Sequence, residues 1–212
     1  MKTNDLIALL ASDTLRPQKP VRQQLLRQLV LGAVVCCVLL FTLFGLNPQM
    51  DQMAVHPAFI TKMLWLAALI GFSLYGLFRL ARPGMTAGHA LWGIGLALLA
   101  MLSLGLVQLL QTESGARSAQ WMGGSWQVCS TSIAALSLPV LAALLWALRQ
   151  LAPTRTALTG AVAGMLAGSL AAGIYSLHCT ETSFTFYAIW YAGGMALATG
   201  LGAVLGGRWL RW

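Results

Sequence analysis

Few side chains in this 212-residue sequence can do chemistry: four cysteines, three histidines and five acidic residues. Cys129 and Cys179 are the most telling. One opens an apolar run and the other closes the next run. Successive membrane helices alternate in direction, so both thiols return to the same side of a bilayer. If their helices pack side by side, they could reach the ~4.4–6.8 Å Cα separation that a disulfide needs. His178 adjoins Cys179, Glu181 follows it, and His56 lies in another connection on that side. Three readings stand: a structural disulfide, a redox or soft-metal sensor, and a pair of unrelated buried thiols. In the sensor reading Cys129, Cys179 and His178 receive the signal, with His56 as a further metal ligand. No resident cofactor is implied, only a soft metal ion bound transiently as a signal. The chain has no CxxC pair, which a disulfide-exchanging oxidoreductase would carry. Cys36 and Cys37 are adjacent in mid-run, where a thiol serves as small apolar filler.

The elements that must position these residues are membrane helices. The chain is 58% hydrophobic and 8% charged, against about 25% charged in soluble domains. A span needs about 20 apolar residues. Six runs qualify: Leu29–Leu46, Ala58–Phe78, His89–Gln111, Cys129–Leu148, Ala157–Leu177 and Phe184–Gly207. The expected fold is all-α and polytopic, with a six-helix transmembrane domain over residues 28–212. Pro48 closes the first run and Pro139 interrupts the fourth. Mid-span there is no Asp, Glu or Arg, and Lys62 is expected to snorkel from a span end. This argues against ion-coupled transport. HExxH, a Walker lysine loop and GxSxG are absent too, so no enzyme is expected.

Eleven of the thirteen Lys and Arg fall on one side of such a bundle. They are Lys2, Arg16, Lys19, Arg22, Arg27, Arg79, Arg82, Arg149, Arg155, Arg208 and Arg211. Positive loops stay cytoplasmic, so both termini are expected inside, in a bacterial inner membrane, with the thiols at the periplasmic side. The net charge of +8 then reflects orientation in a lipid bilayer and not direct nucleic-acid binding. In the last two spans small residues recur every four positions: Gly160, Gly164, Gly168 and Ala172, then Gly194, Ala198, Gly202 and Gly206. Such ridges let helices approach closely, so these spans are expected to form a tight hairpin.

Residues 1–27 are the only substantial cytoplasmic segment. Leu6, Ile7, Leu9 and Leu10 would share one face of a short helix with Asp5 in its first turn. A helix this short is unstable alone. It reads either as a peptide that folds into a partner's groove or as a helix lying on the bilayer. The basic residues after it form a tether beside anionic lipid.

The opening Met1-Lys2-Thr3-Asn4-Asp5-Leu6-Ile7 resembles that of the NrsF-type bacterial membrane anti-sigma factors. The resemblance is stronger in Ser176-Leu177-His178-Cys179-Thr180-Glu181, in Ala188-Ile189-Trp190-Tyr191 and in Gly206-Gly207-Arg208. Cys129 falls where that family places its other periplasmic cysteine. The resemblance implies a protein that holds an extracytoplasmic-function (ECF) sigma factor at the inner membrane. Asp5, Leu6, Ile7, Leu9 and Leu10 would contact the sigma factor, and Cys129 and Cys179 would sense a periplasmic stress that releases it. Two other classes remain beside it: a small transporter or channel for a metal or neutral solute, and a membrane thiol oxidoreductase.

Overall fold

The computed structural model describes residues 20–48 and 50–211. The segment bearing Asp5, Leu6, Ile7, Leu9 and Leu10 lies outside them. Regular structure among the described residues is helical: α1 (Val21–Leu43), α2 (Met50–Ala54), α3 (Pro57–Leu80), α4 (Ala90–Gln111), α5 (Arg117–Met122), α6 (Trp126–Arg149), α7 (Thr156–Tyr175), α8 (Phe184–Phe186) and α9 (Ala192–Trp209). A π-helical stretch, Tyr187–Tyr191, joins α8 to α9. Six stretches are long and apolar enough to cross a membrane: α1, α3, α4, α5 with α6, α7, and Phe184–Trp209.

Helix ends follow local chemistry. Whereas Leu29 was the expected start of the first span, α1 begins at Val21, directly after Pro20. Arg22 and Arg27 are good helix formers with exposed heads, so the helix runs through them. It stops before Gly45, whose φ of +74° suits only a residue without Cβ. At the start of α3, Pro57 occupies the first position and the His56 ring accepts a hydrogen bond from the Ala58 amide at 3.2 Å. The α6 helix starts at Trp126, three residues before Cys129. The α7 helix ends at Tyr175, so Cys179 stands in the following connection.

The hub is α7, which packs on α9, α3, α6 and α1; α1 also lies on α6, α9 on α6, and α4 on α3. It is buried nearly all round, as its run of Gly, Ala and Ser permits. Large apolar side chains point outward elsewhere, among them Val30, Leu64, Leu96 and Leu110. Such a surface suits a hydrocarbon solvent. The bundle has a proximal end, with Pro20 and Trp209, and a distal end, with the connections after α1, α4 and α7.

Candidate functional site

At the distal end the two thiols come together. Cys129, in the first turn of α6, is 0% exposed, and Cys179 is 3% exposed. Both are free thiols. They lie within electrostatic range of one another and of Lys62. Cys179 lines a cavity of about 290 Å³ with Phe44, Asn47, Ser125, Tyr175 and His178. His178 places Nδ1 3.3 Å from the carbonyl oxygen of Gly45, and its ring leans on Phe44 and Tyr175 at 5.4 and 5.9 Å between centroids. The Asn47 amide donates to the Leu177 carbonyl at 3.1 Å. Together these contacts tie the end of α1 to the end of α7 beside the thiol.

Lys62 departs from expectation. It stands in the second turn of α3, but it does not snorkel: the side chain is 0% exposed. Its ammonium has no hydrogen-bond partner among the described residues. Instead it sits over three rings: Tyr187 at 4.7 Å, Phe59 at 5.0 Å and Tyr191 at 5.4 Å. An isolated buried charge costs several kcal/mol. A desolvated cation on a ring face recovers up to about 2 kcal/mol, so three rings are what make this position tenable.

Two of these rings come from the π stretch. Tyr187 and Tyr191, four residues apart within it, are both fully buried, with ring centroids 5.3 Å apart. Such stretches are rare and recur at functional sites. Neighbours hold this one in place. Ser130 donates to the Trp190 carbonyl at 2.7 Å, and the Trp190 indole donates to the Trp121 carbonyl at 2.7 Å. The Tyr187 hydroxyl donates to the Glu181 carbonyl. The Glu181 carboxylate accepts from the Gly124 amide at 2.7 Å, next to Gly123 at φ +59°. Gln108 accepts from the Phe184 and Thr185 amides at 2.7 and 3.3 Å, capping α8.

Below this cluster lies the glycine seam. A Cβ on Gly160 would stand 2.1 Å from the Gly202 carbonyl oxygen. One on Gly164 would stand 2.3 Å from that of Ala198, and one on Gly168 3.0 Å from the Met195 Cα. Gly206 closes the row against Gly160 and Thr156. Gly194 lies elsewhere: its Cβ would meet Ile133 and the Ser130 carbonyl of α6. Four residues overshoot one helical turn by about 40°, so a ridge followed from Gly206 back to Gly194 drifts onto the next neighbour.

The structure therefore gathers Cys129, Cys179 and His178 at one end and leaves His56 as a helix cap. Among the described residues, no three His, Cys, Asp or Glu side chains converge as a metal site. His56, Cys129, His178 and Cys179 are therefore not brought together as one ligand set among the described residues. Sequence reasoning missed Lys62, Phe59, Tyr175, Tyr187 and Tyr191. The usable signal was a lysine inside an apolar run together with two tyrosines four residues apart.

Comparison with known proteins matches this sequence to one family. The profile described as "Negative regulator of sigma F" covers residues 10–212. A probable anti-sigma-F factor NrsF from Azospira oryzae is 35% identical over 213 residues, spanning 100% of both chains. The anti-sigma-F factor NrsF of Caulobacter vibrioides is 37% identical over 217 residues, again across 100% of both. No solved structure matches. Matched almost from end to end, the chain belongs to the NrsF family of negative regulators of sigma F.

Proposed function

We propose that this protein is an anti-sigma factor of the bacterial inner membrane, with both termini cytoplasmic. It holds an ECF-type sigma factor inactive and releases it when a thiol-reactive signal reaches the periplasmic face. The observation that carries this reading is the full-length likeness to two relatives named as anti-sigma-F factors. In this reading residues 1–27 form the grip. Leu6, Ile7, Leu9 and Leu10 supply an apolar stripe for a groove in the sigma factor, and Asp5 adds a charge at its edge.

The distal cluster suits the sensing role. Cys179 borders a cavity of about 290 Å³, and Cys129 is within electrostatic range of that thiol. Modifying either thiol forces Tyr175, Tyr191 and Lys62 to repack, and these belong to α7, the π stretch and α3. The helices α7 and α3, and α9 after the π stretch, run to the proximal end, where α1 begins. A tenfold loss of affinity requires about 1.4 kcal/mol, within the usual 1–3 kcal/mol of allosteric coupling.

The test is co-purification of the detergent-solubilised chain with its candidate sigma factor. Capture that survives in the intact chain and is lost in Leu6→Asp and Leu10→Asp supports the grip. Capture indifferent to both substitutions removes it. Sensing is tested separately, since Cys129→Ser with Cys179→Ser is expected to bind the sigma factor normally and fail to release it under oxidant.

A further inference from the structure

At the proximal end, the last turns of α6 and α9 enclose a second cavity, of about 370 Å³. Leu145, Trp146, Arg149, Arg208, Trp209 and Arg211 line it. We propose that this cleft is a binding site for an anionic phospholipid, with the arginines on its phosphodiester and the tryptophans beside its glycerol region.

Three observations carry the assignment. The first is charge: three arginines line one concavity, and none has a hydrogen-bond or ion-pair partner among the described residues. The positive-inside rule explains arginines at this end but not their gathering around one space. Guanidinium is the side chain best matched to phosphate oxygens. The second is amphipathy. Trp146 and Trp209 are 67% and 60% exposed, as rings at a headgroup boundary are. The third is continuity. Deeper on the same helix faces, Leu138 leads toward Trp146, and Leu201 and Val204 lead toward Arg208; all three are exposed and apolar. A headgroup in the cleft can therefore lay its acyl chains along the bundle without a break. An acidic peptide would match the arginines but leave this apolar track without a use, and free phosphate would leave the tryptophans idle. The cleft shares no residue with the cavity beside Cys179 or with the apolar stripe of the grip.

The experiment uses the full chain in detergent. Phosphatidylglycerol, zwitterionic phosphatidylcholine and inorganic phosphate are titrated in parallel, with bound lipid counted by native mass spectrometry and thermal unfolding as the second readout. Phosphatidylglycerol is expected to bind and to raise the melting temperature, while phosphatidylcholine and phosphate do neither. R149Q/R208Q/R211Q should weaken phosphatidylglycerol binding more than tenfold, and R211Q alone by roughly fivefold, the usual effect of one basic residue at an anionic surface. R117Q, at the other end, should bind as the parent does. If the triple variant does not fold, R211Q decides. Undiminished binding in the arginine variants, equal binding of phosphatidylcholine, or full stabilisation by phosphate alone would overturn the site. So would capture of the sigma factor that depends on the same arginines in lipid-free detergent, since the cleft would then be a protein contact.

Discussion

The two halves of Phe184–Trp209 meet their neighbours by opposite means. In Ala192–Trp209 the seam with α7 has almost no side chains in it, and glycine faces carbonyl across the gap. In Phe184–Tyr191 the interface is filled by Tyr175, Tyr187, Tyr191, Lys62 and Phe186, the five largest fully buried side chains described. Without side chains the lower half has one way to fit, and its specificity is steric. The upper half holds a charge by ring electrostatics, which respond to chemistry nearby. A regulator needs both: a fixed reference and a part that can change.

The comparison breaks most severely at the seam. Gly160→Leu should abolish the monodisperse species in size-exclusion chromatography, because its Cβ alone would overlap the Gly202 carbonyl. Next comes the sign of the buried charge. Lys62→Glu would turn a carboxylate onto three electron-rich ring faces and should destabilise the protein by about 3 kcal/mol or more in thermal or denaturant unfolding. Gly123→Ala is expected to cost about 1–2 kcal/mol, because it sets a Cβ at φ +59° and 2.8 Å from the Phe186 ring. By contrast, Lys62→Met should alter stability by about 1 kcal/mol or less, since the lost cation–π contacts are offset by relief of an unpaired charge. A loss above about 3 kcal/mol would mean that the ammonium stabilises the fold outright. Smallest of all, Gly200→Ala has nothing within 4 Å of the added methyl. It should be neutral or gain up to about 1 kcal/mol of helix propensity.

How much of this was legible in the sequence follows from what each feature depends on. The six apolar stretches were readable because hydropathy over about 20 residues is a local quantity. Gly160, Gly164 and Gly168 were readable as a ridge because their spacing is local too. Lys62 was not. A lysine near a span end has two solutions, and the choice rests on Phe59, Tyr187 and Tyr191, two of which arrive far later in the chain. The π stretch was equally hidden, since Ser130 on another helix occupies the Trp190 carbonyl. Cys129 and Cys179 could be placed on one side by counting spans. Their burial against Tyr175 and Tyr191, and the cavity beside Cys179, could not.

The glycine seam also limits how the bundle can move. Its contacts repeat every four residues, a pitch of about 6 Å along the axis. A smaller slide of α9 along α7 would ride a backbone ridge over a backbone ridge, with no rotamer free to yield. Piston motion is therefore blocked, and what remains is rotation about the line of contact. Seen this way the seam is a hinge pin. A turn of α9 about that line carries Arg208 and Trp209 through the same angle as the helix's ring-filled start.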